Sequence, residues 1–261
     1  MKLKTMLLAS AAVMFAGSAM AADLTNPFYT PDEGAFTSDT AVAHHRTSYK
    51  HGVAADKQTV LGEQLTYGVT DQLAVWGAVT NFFDTNHEFN NDHNFTYNIG
   101  TGYNMRDGNI LAQVAAEYTT FNPKDFYGHK NFKARTNNGN DRWVKVLDGT
   151  IKLGYDMGDG LTPYVTYNLS GNIDAADRYL EQSVKAGVHK YDGNWAIDAG
   201  VRYDFETDGK NTNQWFAEAE VDYYVRENIA LGVFGDYFLG GNGADDIHYD
   251  YTAGARVKVL F

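Results

Sequence analysis

From Ile247 to the last residue the odd positions read Ile247, Tyr249, Tyr251, Ala253, Ala255, Val257, Val259 and Phe261, while the even ones read His248, Asp250, Thr252, Gly254, Arg256, Lys258 and Leu260 and are largely polar. The alternation recurs with Trp195, Ile197, Ala199, Val201, Tyr203 and Phe205 set against Asp198, Gly200, Arg202, Asp204 and Glu206. It recurs again with Trp215, Ala217, Ala219, Val221, Tyr223 and Val225 against Glu218, Glu220 and Asp222. Successive side chains of a strand point to opposite faces, so a period of two predicts strands with one oily and one wet surface. No stretch shows a comparable helical period. Followed back through the chain, the pattern predicts twelve strands at 35–48, 57–70, 72–83, 93–105, 109–121, 143–156, 161–170, 179–191, 194–206, 213–225, 228–239 and 247–261, with the first two alternating least clearly. Tight connections (70–72, 106–108, 157–160, 192–193, 226–227) alternate with longer polar ones, and Gly and Asp at the tight sites suit hairpin turns. Short turns therefore gather at one end of the sheet and long loops at the other.

Two water-soluble architectures share this pattern. The strands of a β-sandwich are commonly about five or six residues long, and a lipocalin-like barrel turns its apolar face inward. The aromatic residues discriminate. Trp195, Trp215, Tyr223, Tyr249 and Phe261 lie towards the ends of apolar faces whose middles hold Ala, Val and Gly. A lipid-facing band with interfacial girdles has this distribution. Backbone groups in lipid have no water to bond, so such strands must close without a free edge. The reading is all-β: a transmembrane antiparallel up-and-down β-barrel of about 12 strands.

The N-terminus bears on location. Lys2 and Lys4 precede an apolar run from Met6 to Gly17, and Ala19-Met20-Ala21 supplies the small residues of a cleavage site. Residues 1–21 thus read as a removable signal peptide, 22–34 as a periplasmic N-terminal segment that serves as a tail or an internal plug, and 35–261 as the barrel. A formal charge of −12 argues against nucleic acid as a partner. With Cys at 0, an exported fold must hold together without disulfides.

The signal sequence, the amphipathic hairpins, the unequal turns and loops, and the closing strand Tyr249-Asp250-Tyr251-Thr252-Ala253-Gly254-Ala255-Arg256-Val257-Lys258-Val259-Leu260-Phe261 resemble Gram-negative outer-membrane β-barrel proteins of the porin-like kind. The resemblance covers residues 35–261 and does not fix a subfamily. It implies a bacterial outer-membrane location, contact with outer-membrane lipids and lipopolysaccharide, recognition of the terminal strand by the barrel-assembly machinery, and both chain ends in the periplasm.

With the oily faces outward, the other faces line the lumen. The expected pore-lining set is Glu117, Asp148, Lys152, Glu181, Lys185, Asp198, Arg202, Glu218, Glu220, Asp222, Arg256 and Lys258. Acids predominate across the whole inward row, and a confined acidic passage favours cations. Arg202, on the strand before Glu218 and Glu220, is a partner for that carboxylate pair. Inward aromatics Tyr164, Phe216, Tyr224, Phe234 and Phe238 either stack on sugar rings or fill space. The longest loop, 122–142, reverses the prevailing charge through Lys124, Lys133, Arg135 and Arg142, and by loop order resembles the constriction loop of general porins. A solvated loop touching lipopolysaccharide is the alternative.

An enzyme is the rival class. Outer-membrane phospholipase resembles the chain in size, but its chemistry needs a serine beside a histidine. No serine occurs between Ser48 and Ser170, and His45 and Ser48 have opposite parity. His248 and Asp250 are of types that omptin-like proteases use, on one strand only. The histidines are scattered, which predicts no metal site, and nothing calls for a cofactor. The expected function is non-enzymatic: a passive pore for small hydrophilic solutes, cation-preferring, with a non-conducting structural or surface-interaction barrel as the alternative.

Overall fold

A computed structural model of the chain describes residues 23–50, 56–84, 94–121, 144–173, 180–206, 213–242 and 247–261. Among these residues twelve strands follow one another: β1 (Phe36–Tyr49), β2 (Asp56–Gly68), β3 (Leu73–Asp84), β4 (Asn94–Asp107), β5 (Ile110–Phe121), β6 (Val144–Tyr155), β7 (Leu161–Asn172), β8 (Leu180–Asp192), β9 (Trp195–Glu206), β10 (Asn213–Arg226), β11 (Ile229–Gly240) and β12 (Ile247–Leu260). Each pairs antiparallel with its chain neighbours, and β12 returns to β1 to close the barrel. The closing ladder runs from Thr37 opposite Leu260 to Ser48 opposite Tyr249. No strand keeps an open edge, as a wall in contact with lipid requires. Gly108 (φ 58°) and Gly193 (φ 61°) open the two-residue turns β4–β5 and β8–β9, where the tight reversal calls for positive φ.

The wall inverts the usual inside and outside of a folded chain. Ile99 (64% exposed), Val233 (59%) and Leu153 (56%) point outward, whereas Asp222 (2%) and His189 (1%) are buried inside. Trp195 packs on Tyr223 (ring centroids 4.9 Å apart) towards the turn end, and Trp215 on Tyr203 (4.5 Å) towards the loop end. Tyr249 stacks near Tyr251 (6.1 Å), and Phe261 closes onto Phe36 through its backbone N–H (2.8 Å).

Inside, rings lie over glycines of the adjacent strand. Trp76 faces Gly100, Tyr164 faces Gly187 and Phe234 faces Gly254 in register. A Cβ on Gly187 would sit 2.6 Å from the Tyr164 ring, and one on Gly254 would sit 2.5 Å from Phe234. The glycines of Gly100-Thr101-Gly102 therefore serve to seat an indole on the wall.

Residues 23–34 do not trail away below the barrel as a free periplasmic tail. They fold into its turn end as an internal plug. Leu24 packs with Ala196, Tyr224, Ala230 and Leu260, and Phe28 with Leu111 and Tyr164. Burial of these side chains and of Pro31 is the physical reason: the turn end of the lumen offers an apolar seat that water does not.

Candidate functional site

The lumen is layered along the barrel axis. At the turn end, the plug is held by polar as well as apolar contacts. Asp23 bonds His189 Nε2 (2.7 Å) and accepts from the Tyr224 hydroxyl (3.0 Å) and the Thr25 hydroxyl (2.8 Å). Burial pushes the Asp23 carboxyl up, but these bonds and the His189 charge outweigh it and hold the group below the ordinary carboxylate range. Lys152 Nζ donates to the Pro27 carbonyl (2.5 Å), Asn104 to the Phe28 carbonyl (2.6 Å) and Lys258 Nζ to the Leu24 carbonyl (3.5 Å). Lys152 and Lys258, expected to line an open pore, point inward but grip the plug instead. Buried Asp222 accepts from Arg256 Nε (3.3 Å).

Above the plug lies a paired charge layer. Lys185 Nζ bridges Asp198 (3.1 Å) and Glu218 (3.0 Å), and Arg202 binds Glu218 and Asp204 (2.9 Å). Arg256 binds Glu220, and Asp39 lies 3.8 Å from Lys258 Nζ. The Tyr164 hydroxyl donates to Asp198 (2.7 Å). Glu117 accepts from Trp76 Nε1 (2.6 Å) and Asn98 (2.7 Å). Local alternation put all these groups on one face, and the closed barrel then brought β8, β9 and β10 close enough for the long side chains to meet.

Nearer the loop end the wall is acidic. Asp148, Glu181, Asp204, Asp236 and Asp250 lie on inward positions of the loop-side halves of their strands and outnumber Arg202 there, whereas Lys152, Lys185, Arg256 and Lys258 sit deeper. Asp250 accepts from Thr47 (3.1 Å) and lies 3.6 Å from His45 across the β12–β1 junction. The sequence reading paired Asp250 with His248. That histidine shares the parity of Asp250 but falls at the register shift where Ser48 pairs with Tyr249 and Tyr49 with Ile247; it is exposed there, its ring 5.4 Å from Tyr249. The only signal for His45 was its odd parity on β1. His44 and Ser48 lie on the outward parity of that strand.

Of the inward aromatics, Tyr164, Phe216, Tyr224 and Phe238 are buried and fill space, which withdraws them from stacking on a solute; Phe216 and Phe238 pack edge to face at 5.7 Å. Lys124, Lys133, Arg135 and Arg142 lie outside the described residues, as does segment 1–21. Among the described residues no group of three His, Cys, Asp or Glu side chains is placed to hold a metal ion.

Closed, edge-free, apolar outside and charged within, the fold is that of outer-membrane β-barrel proteins. Among solved structures it is similar to an outer membrane channel from Pseudomonas putida F1 (TM-score 0.61, 12% identity, 90% of this chain and 98% of that one) and to the NanC porin (0.57, 10%, 84% and 98%). It is also similar to a deletion mutant of the TodX monoaromatic hydrocarbon channel (0.51, 10%, 89% and 90%). By sequence the chain matches no protein-family profile. It likewise matches no curated protein.

Proposed function

We propose that the chain is a bacterial outer-membrane channel through which small hydrophilic solutes diffuse passively, with a preference for cations and without enzymatic chemistry. The carrying observation is the charged inner wall of an edge-free barrel: Asp204 (34% exposed), Asp39 (31%) and Arg202 (29%) keep access to water inside a wall whose outside is apolar. A barrel of twelve strands encloses more space than one of about eight, whose side chains fill it. Fold-level similarity to a channel, a porin and a hydrocarbon channel supports the class without naming a solute. The acidic loop-side vestibule concentrates cations at the entrance. The plug and the paired layer set the passage below it.

The same features support a second reading, a non-conducting barrel, because residues 23–34 occupy the turn end. Purified protein in a planar bilayer separates the two. Stepwise conductance with a cation-selective reversal potential supports the channel, and silence at every voltage in wild type and in a plug-deleted variant refutes it. Lipopolysaccharide contact belongs with the loop end, where Arg46 lies over the Tyr249 ring (5.4 Å) on the outer face. The strand ending in Phe261 is the element we assign to the assembly machinery; removing Phe261 should lower the folded yield in cells.

A further inference from the structure

The outer wall is not uniform. From β4 to β11 the outward positions in the middle of the band carry no acidic, basic or imidazole side chain among the described residues. On β1 the outward row instead holds Ser38, Thr40 and His44, and on β2 it holds Thr59 and Glu63. The facing is fixed by exposed neighbours of the same parity, Val42 (47%) on β1 and Leu65 (53%) on β2. Glu63 lies opposite Thr40 in register and accepts from the Ser38 hydroxyl (2.6 Å) and the Thr40 hydroxyl. His44 Nδ1 lies 3.4 Å from Thr59 Oγ1. Phe36 and Tyr67 stack at the turn end of these strands, and Glu63 is about 10 Å above them, within the height that acyl chains cover. A carboxylate and an imidazole on that surface are costly unless protein covers them.

The seam is not a lateral mouth. β1 pairs with β2 without interruption from Phe36 to Thr47, and with β12 from Thr37 to Ser48. We propose that it is where two copies of this chain meet, related by a two-fold axis parallel to the barrel axis. Among the described residues the polar stripe occurs once, so a closed isologous pair covers it completely, whereas a head-to-tail ring needs a second, different patch to receive it. Carboxylate, hydroxyl and imidazole groups supply both donors and acceptors, so the stripe is complementary to its own copy at the same membrane depth. Asn81, outward on β3 opposite Leu61, extends the polar row to a third strand. Exposed Ala253 and Ala255, which face β1 on β12, let the two walls approach closely. The inference goes beyond conduction and rests only on the outer wall facing lipid.

The chain lacks cysteine, which makes cross-linking selective. Single cysteines at Val42 on the seam and at Val165 on the far side are each placed in purified protein in liposomes and treated with a short bis-maleimide. Folding of both variants is checked by resistance to unfolding on unheated gels. The expected result is a covalent dimer from V42C and none from V165C. In the V42C background, Glu63→Leu should cut dimer yield about threefold to tenfold, the range for losing one polar contact between membrane segments. Equal cross-linking from both positions, or monomer alone from folded V42C, overturns the proposal. So does an adduct formed by V42C in native membranes with a different protein but absent from pure liposomes.

Discussion

Phe28 offers the sharpest test of the plug. Its ring packs edge to face on Tyr164 (6.4 Å), lies under Lys152 Nζ (5.6 Å) and touches Leu111, with 9% of its surface exposed. Truncating a buried Phe to Ala costs about 3–5 kcal/mol. Here the cost falls on the docked segment and not on the wall, because the undocked segment leaves residue 28 in water. At about 1.4 kcal/mol per factor of ten, Phe28→Ala should raise the undocked population at least about 100-fold. Thr25, 8% exposed, is the reporter: as Thr25→Cys it is the sole thiol of the chain. When undocking is fast relative to modification, the maleimide labelling rate follows the undocked population, so Phe28→Ala should accelerate labelling by the same factor. Gly154→Ala approaches from the other side, since its Cβ would lie 2.5 Å from the Phe28 ring, and should accelerate labelling without altering the segment. Labelling rates within about threefold of the parent in both variants would show that Phe28 does not anchor the segment, contrary to the burial argument.

The charge layer, the latch and the wall each give a further expectation. Replacing Glu218 and Glu220 by lysine beside Arg202, Lys185 and Arg256 should move the reversal potential towards anions, and an unchanged potential removes both residues from the conduction path. The Asp23 carboxyl is held below its ordinary range, so its contribution to docking is complete above about pH 4 and is lost as pH falls through the lower, folded value. Thr25→Cys labelled with an acid-tolerant aromatic disulfide should stay protected by Asp23 from pH 5 upward and lose that share in stronger acid. Asp23→Asn should abolish this acid-induced step. On the wall, Gly187→Val drives a side chain into the Tyr164 ring and should cost about 1–3 kcal/mol, read as a lower urea midpoint for barrel unfolding.

Period two is a local property, and it was legible wherever one face met a single solvent. β9, β10 and β12 showed it plainly, and their ends lie within two residues of where the alternation placed them. β1 and β2 alternated least clearly because Ser38, Thr40, His44, Thr59 and Glu63 occupy outward positions, so polar residues fall on both faces. What could not be read from order alone was contact between distant groups. Asp250 meets His45 only because β12 closes on β1, and Glu218 meets Lys185 only because β8, β9 and β10 curve around a common interior.

Alternation along the chain was enough to read about twelve strands, the direction of the oily faces, the closure those faces demand in lipid and the end of the barrel at which the tight turns gather. Tertiary structure alone decided that residues 23–34, which have no periodicity to betray them, turn into the lumen and convert Lys152 and Lys258 from pore wall to clasp. The reason is physical: alternation reports which solvent a face meets, residue by residue. Which side chains then meet one another depends on register and curvature, and these exist only once the sheet has closed.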